Sequence, residues 1–526
     1  MPKYVLVNRR AGRFTAQAKL ASRASIASAL SLVPKNAILD DRVPSDKLAR
    51  RVAVLDLDEA EATRLASEVS SDVVLEPLII RKLHHRKPAE LRNATLVTTA
   101  AAVAAGAGRY QVTIKGGGKP LGDIDVMFYV ADPFGTITTV TARASANGQA
   151  SVALRPGDRI SFVEPIPYSG FWIMLAEAPP SGSTIDCTPV APAPQGGKAW
   201  WHTVTKTGAA TDGKGINVGV IDTGCGPHPN LQHVTLVGAF VDGGALPAAQ
   251  AVDVAEHGTH TSGIVGARPQ RAGDYIGMAP GSNLFHARVF KGEGPDDGPS
   301  QADLINAIDS LSRDHQCDLI NMSLGGGPRS GAEEDCIRDA LERGTLCICS
   351  AGNDGGAVNF PGAYPECVSV SAIGQVGWAP AGTFSAGNRP REPGKMGRDN
   401  LFLASFSSNG IGLDATGPGV GIVSTVPNRA GATGLYMEMD GTSMASPAVC
   451  ATLAAILSRD SAYAALPRDA SRSNAARQLL EANCVSVGLA TTLQGFGLPV
   501  VDDSHAQVSS NATAGSTPKP KRKARS

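Results

Sequence analysis

The sequence predicts an α/β fold: a large domain with a mostly parallel sheet flanked by helices, preceded by a small αβ unit and a small β-sandwich. Three observations carry this. Four runs, INVGVI (216–221), NLFHARVF (283–290), DLINMSL (318–324) and TLCICS (345–350), are almost continuously apolar, as strands buried on both faces are. Helical patterns lie between them, for example at 301–314 and 331–343, so strand alternates with helix as in a parallel sheet. Ahead of them, at 110–178, β-prone runs are punctuated by turns about every ten residues, the economical reading of which is a sandwich.

The 526 residues exceed a single core, which stops growing near roughly 250–300 residues. Shifts in composition place boundaries at 1–90, 91–185, 186–506 and 507–526. In the first unit YVLV (4–7) reads as a strand, as do RRVAVLDL (50–57) and DVVLEPLII (72–80). The segment 58–69 has an acidic first turn and Leu65 and Val69 at i,i+4, so it reads as an amphipathic helix. In the second unit the Gly/Pro cluster at 116–120 is a turn, and Asn147-Gly148 signals a local hairpin. A Pro/Gly/Ser-rich linker at 179–197 leads into the large domain. The last segment ends PKPKRKARS and reads as a disordered, solvated basic tail.

Composition excludes several classes. Lys+Arg and Asp+Glu both number 48, so no nucleic-acid partner is expected for the core. The best uncharged stretch, 93–108, is Ala/Thr-rich and too short to span a membrane. The N-terminus lacks the apolar core of a secretory signal, which favours a cytoplasmic site over non-standard export. The absence of acidic residues before Asp40 would also fit a transit peptide, but YVLV reads better as a strand. Nine cysteines without a C-x-x-C spacing speak against a disulfide scaffold or a zinc site. Cys347 and Cys349 read as small core residues.

Ligands bind at strand ends in parallel sheets, and four such ends carry chemistry. VGVIDTG (218–224) puts Asp222 where a buried strand breaks into a glycine turn, and HGTHTSG (257–263) puts His257 at a helix start. SAGN (350–353) follows another strand and brings Asn353, while GTSMASPA (441–448) puts Ser443 at the head of an apolar helix. Singly, each has a duller reading as a turn former, surface histidine or helix cap. Acyl transfer needs them together: a nucleophile, an imidazole to take its proton, a carboxylate to hold the imidazole tautomer, and donors for the oxyanion. The amide N–H of Ser443 and the side-chain NH₂ of Asn353 qualify as those donors.

The order Asp222, His257, Ser443 with these flanks resembles the subtilisin-like serine proteases, the subtilases of peptidase family S8. GMAPGSNLFHARVF (277–290), NMSLGG (321–326), NFPGAYPECVSVSAIG (359–374), FSSNG (406–410), GPGV (417–420) and GFGLPVVD (495–502) follow in family order, over about 300 residues. The resemblance implies a serine endopeptidase that acts through an acyl-enzyme on Ser443, with Asp222 orienting His257 and with Asn353 and Ser443 forming the oxyanion hole. It also implies that Ser323, Leu324 and Gly325 pair with an extended peptide substrate. Ala351 and Gly352 would frame the pocket before the cut, with Asn359 at its floor. The 1–90 unit resembles the family's inhibitor-like propeptide, and thus a possible intramolecular inhibitor that would make the chain a zymogen. The second unit is similar to small β accessory domains. Two alternatives stand beside a broad protease: a dedicated processing protease for one partner, and a catalytically silent peptide-binding scaffold.

Three departures from the family pattern matter. A β unit stands between the propeptide-like region and the catalytic domain, so whether and where the chain cleaves itself is open. No cofactor is required; calcium is a family possibility, but the loop 266–275 carries Arg268 and Arg271 in place of an Asn-rich site, so no metal ligand is assigned. The segment 375–404 reads as an insertion forming an exposed loop beside the substrate groove. Cys225, three residues after Asp222, reads as a packed thiol before a reactive one.

Overall fold

The computed structural model describes residues 2–9, 16–43, 50–83, 108–292, 294, 297–429 and 432–502. The basic tail and nearly all of the 93–108 stretch lie outside them.

The first unit is an antiparallel sheet built from β1 (Lys3–Asn8), β2 (Ile38–Arg42), β3 (Val52–Asp56) and β4 (Val73–Pro77), in the order β2-β3-β1-β4. Helices α1 (Ala16–Ser31) and α2 (Glu59–Glu68) cover one face. Side chains alternate along each strand. Leu6, Ala53 and Leu55 therefore meet Ile26, Leu30 and Leu65 on that face, while Val5, Val7, Val52 and Val54 point the other way, into the core of the large domain. Burial on both faces explains the unbroken apolar runs of β1 and β3. The acidic first turn of α2 is a reciprocal cap: Asp58 Oδ1 accepts from Glu61 N (2.7 Å) and Glu61 Oε2 from Asp58 N (3.0 Å). Helix α1 is Ala/Ser-rich and carries no strong apolar period in the sequence, and Ile26, Ala29 and Leu30 of it face the core. Past β4, a two-residue strand β5 (Lys82–Leu83) leaves this sheet for the large domain.

The second unit is a sandwich of two four-stranded sheets. One holds β6 (Gly108–Gly116), β7 (Lys119–Pro120), β10 (Gln149–Leu154) and β13 (Thr184–Cys187); the other holds β8 (Asp125–Ala131), β9 (Ile137–Arg143), β11 (Arg159–Ile166) and β12 (Ala176–Glu177). Tyr110, Val112, Ile114, Val126, Phe128 and Val163 fill the space between them. Two expectations are corrected here. Asn147-Gly148 makes a tight turn, with Gly148 N donating to Ser145 O (2.7 Å), but no hairpin: β9 pairs with β8 and β10 with β6, so the turn crosses between sheets. The segment 179–197 is not simply a linker, because β13 pairs parallel to β6 and buries Ile185 and Cys187 in the sandwich core. Its Pro and Gly residues flank that strand.

The large domain follows α3 (Trp200–Thr205). Its sheet comprises β14 (Asn217–Asp222), β15 (Thr235–Ala239), β16 (Asn283–Arg288), β17 (Leu319–Met322), β19 (Leu346–Ser350), β20 (Val368–Gln375), β21 (Leu401–Leu403) and β22 (Ala415–Pro418), with β18 (Leu324–Gly325) just beyond β17. The order is β15-β16-β14-β17-β19-β20-β21, with β22 also on β20, and every pairing is parallel except β20–β21. Helices α4 (His257–Gly266), α5 (Gln301–Asp309), α6 (Gly331–Glu342), α7 (Phe384–Gly387), α8 (Thr442–Leu457), α9 (Ser461–Ala464) and α10 (Ala470–Ala482) complete it, with a hairpin of β23 (Ile422–Thr425) and β24 (Tyr436–Met439). Every residue of α8 is buried. Among the described residues no helix is long and apolar enough to cross a membrane.

The 375–404 segment is not an exposed loop throughout. Leu401, Phe402 and Leu403 are buried in β21, and Trp378 packs edge-on against Trp172 of the sandwich unit and Trp201 of α3. The sandwich unit is held there by Ile173 N donating to Glu438 Oε1 (2.9 Å) and by Gly170 N donating to Tyr436 O (2.8 Å).

Candidate active site

Three elements of distant sequence converge at the C-terminal end of the sheet. Strand β14 ends at Asp222, and the chain turns sharply at Gly224 (φ +114°), where a Cβ would lie 2.4 Å from Val252 O. Helix α4 starts at His257, and its second residue must be Gly258, since a Cβ there would stand 2.1 Å from Gly224 O. That close approach draws the helix start onto the strand end, and His257 Nδ1 lies 2.7 Å from Asp222 Oδ1. Asp222 is fully buried and receives two further donors, Thr223 N (2.7 Å, on Oδ1) and Thr261 Oγ1 (3.1 Å, on Oδ2). With Nδ1–H given to the carboxylate, Nε2 keeps its lone pair; among the described residues it has no hydrogen-bond partner.

Ser443 is the second residue of α8, where the positive end of the helix dipole lies. Its Oγ donates to Ser323 O (3.1 Å), and Ser323 Oγ donates back to Ser443 O (2.7 Å), which pins β17–β18 to the helix head. Asn353 is set by Thr442, whose N (2.9 Å) and Oγ1 (2.8 Å) both donate to Asn353 Oδ1. This turns the Asn353 amide nitrogen towards Gly441: a Cβ there would lie 3.1 Å from Asn353 Nδ2 and 3.4 Å from Ser443 N. Two N–H donors therefore border one small space beside the serine.

Burial opposes a charged His257, but the Asp222 charge and hydrogen bond, aided by Asp253, outweigh it and hold the imidazole pKa above its ordinary value. Asp253 escaped the sequence reading. It is a second buried carboxylate behind the histidine, accepting from Thr223 Oγ1 (2.7 Å), Ala255 N (2.9 Å) and Thr259 N (2.8 Å), and burial raises its pKa. Thr223 in turn accepts from Gly258 N (2.8 Å), so Asp253 fixes the turn that presents His257. An aspartate four residues before a histidine carries no signal of this kind. Cys225 is buried, which pushes its thiol up to about 12 and makes it the packed residue expected.

The residues assigned to the groove also come together. Gly352 N donates to Thr442 Oγ1 (3.1 Å), and Asn359 lies directly against Gly352, its N donating to Ala351 O (2.8 Å). Leu324 and Gly325 are buried, and the chain's own β5 lies on their pairing edge antiparallel, with Leu83 opposite Leu324 and Lys82 opposite Gly325. Several contacts hold that strand. Arg81 N donates to Pro299 O (2.8 Å), Ile79 N to Gln301 Oε1 (2.6 Å), and Gln301 Nε2 to Pro77 O (2.7 Å). Glu76 caps α6, accepting from Ser330 Oγ, Gly331 N (3.1 Å) and Ala332 N (3.3 Å). Arg50 forms a buried ion pair with Asp339 of α6.

The model of the subtilase family matches residues 213–498. The chain belongs to the subtilase family. This subtilase is 31% identical over 296 residues to the major intracellular serine protease of Bacillus subtilis, an alignment covering 54% of this chain and 81% of the relative. It is 30% identical to the intracellular serine protease of Paenibacillus polymyxa, covering 55% and 79%. To subtilisin Savinase of Lederbergia lenta it is 30% identical, covering 53% and 89%. The subtilase is a serine-type endopeptidase with the α/β fold of that family.

Proposed function

We propose that this subtilase cleaves peptide bonds through an acyl-enzyme on Ser443, and that its own 1–90 region restrains it. The observation that carries the first part is the 2.7 Å contact from His257 Nδ1 to Asp222, which leaves Nε2 without a partner among the described residues. For reaction, Ser443 Oγ exchanges its bond to Ser323 O for one to Nε2, gives its proton to the imidazole and attacks the substrate carbonyl. Asp222 stabilises the imidazolium that forms. Ser443 N and Asn353 Nδ2 receive the oxyanion, with the α8 dipole adding to them. His257 then protonates the leaving amine, and water repeats the sequence on the ester.

The β5–β18 pairing supports the second part, because a strand laid on Leu324 and Gly325 takes the edge that a substrate would use. We assign no calcium to the 266–275 loop. Arg268 reaches from the loop to Pro280 O (2.7 Å) and Ser282 O (3.1 Å), and the loop's carboxylate, Asp274, takes Gln270 N and Arg271 N on Oδ2 (both 3.0 Å), so a guanidinium stands in the loop and its acid serves internal donors. A cytoplasmic site of action suits nine cysteines that form no disulfide.

The test is a fluorophosphonate probe applied to the purified chain and to Ser443→Ala, with intact mass followed over time. Wild type should label and lose a fragment of about its N-terminal 85–90 residues, and the variant should do neither. Labelling of the variant would refute Ser443 as nucleophile. A mass loss shared by both would refute self-cleavage.

A further inference from the structure

Resting on the protease reading, we propose that the cavity now filled by Arg81 is a guanidinium-specific substrate subsite, which takes an arginine as the fourth residue before the cleaved bond. Arg81 is fully buried, yet every group that receives its charge belongs to the catalytic domain. Nη1 donates to Gly326 O and to Pro328 O (2.9 Å), while Nη2 pairs with Glu333 and reaches Tyr364 Oη (3.5 Å). Tyr364 is itself fixed, accepting from Ser330 N (2.9 Å) and donating to Ser330 O (3.0 Å). Two carbonyls on Nη1 and a carboxylate on Nη2 suit the two-pronged fork of a guanidinium, which an ammonium cannot span.

The cavity is built for a cation whether or not Arg81 occupies it. Glu333 is fully buried, and its Oε1 has no partner among the described residues. Burial pushes its carboxyl upward, and the Arg81 charge opposes that. Removal of the N-terminal strand would take from this carboxylate the guanidinium that now pairs with it. An arginine arriving on any strand that pairs with β18 restores the pair.

Register sets the position. Lys82 faces Gly325 and Leu83 faces Leu324, so the next residue of such a strand faces Ser323, whose carbonyl holds Ser443 Oγ. A peptide residue facing Ser323 supplies the attacked carbonyl, and the arginine is then the fourth residue back from the bond.

The experiment uses the full chain after self-processing, with its active sites counted by fluorophosphonate labelling. Quenched peptides differing only at the fourth residue before the cut carry Arg, citrulline, Lys or Leu. With the wild type, kcat/KM should favour Arg over citrulline and Leu by at least about tenfold, with Lys between. In Glu333→Leu the order should invert to favour Leu. Equal rates across the wild-type series from a labelled enzyme would overturn the subsite while leaving the protease intact; no labelling and no cleavage would overturn both. Should Glu333→Leu not fold, the wild-type series decides alone.

Discussion

Replacing Asp222 by Asn keeps shape and removes charge, and the structure says how the amide should settle. Asp222 Oδ1 receives both His257 Nδ1 and Thr223 N, so a carbonyl oxygen at that site satisfies two donors. The amide NH₂ then faces Thr261, whose hydroxyl can accept it while donating to Gly258 O (3.1 Å). The histidine therefore keeps its tautomer and loses only its counter-charge. Breaking a buried charge pair costs about 3–5 kcal/mol. At about 1.4 kcal/mol per factor of ten, kcat should fall by roughly two to four decades. The pH profile gives a second reading. Only neutral His257 can act as base, and the Asp222 charge raises its pKa. Without that charge burial dominates, so the acid limb of kcat/KM moves to lower pH even as its plateau drops. Peptide hydrolysis from pH 5 to 9, normalised to labelled sites, measures both. A loss below tenfold, or a limb that stays put, refutes the reasoning.

Three further outcomes are expected. Asn353→Ala should lower kcat by about 10²–10³-fold with little change in KM, the range for loss of one oxyanion donor; an effect on KM alone would place Asn353 outside the oxyanion site. Glu76→Ala removes the carboxylate that caps α6, which is worth about 1–2 kcal/mol. Activity should then appear several-fold sooner after folding, read from a continuous peptide assay. Arg50→Met takes from Asp339 the guanidinium it is buried against, with Arg343 standing 4.0 Å away, so a Ser443→Ala background should lose about 3 kcal/mol in urea unfolding. An unchanged midpoint would mean that the N-terminal unit does not unfold together with the body.

The candidate site was legible in the sequence because each of its residues sits in a local motif that steric rules shape. Gly224 and Gly258 are required by one close approach, and Ser443 heads a helix with no polar face. The buried strands were legible for the same reason, since apolar continuity follows from burial on both sides. What stayed hidden depends on distant partners. Arg81 and Glu333 are ordinary charged residues until β5 reaches β18, and so is Arg50 until the first unit meets Asp339 of α6. Asn147-Gly148 is a turn, but which sheet each flanking strand joins depends on partners distant in sequence, β8 for β9 and β6 for β10.

The sandwich unit stands after β5 in the chain and is docked on the catalytic domain through Trp172, Trp201, Trp378 and Glu438. A cut just past β5 would therefore divide the two N-terminal units unequally. The αβ unit would become a separate molecule, free to diffuse away or to be degraded. The sandwich would remain as the new amino-terminal body, fixed against the hairpin that precedes Ser443. Whatever it binds would travel with the active site for the life of the enzyme.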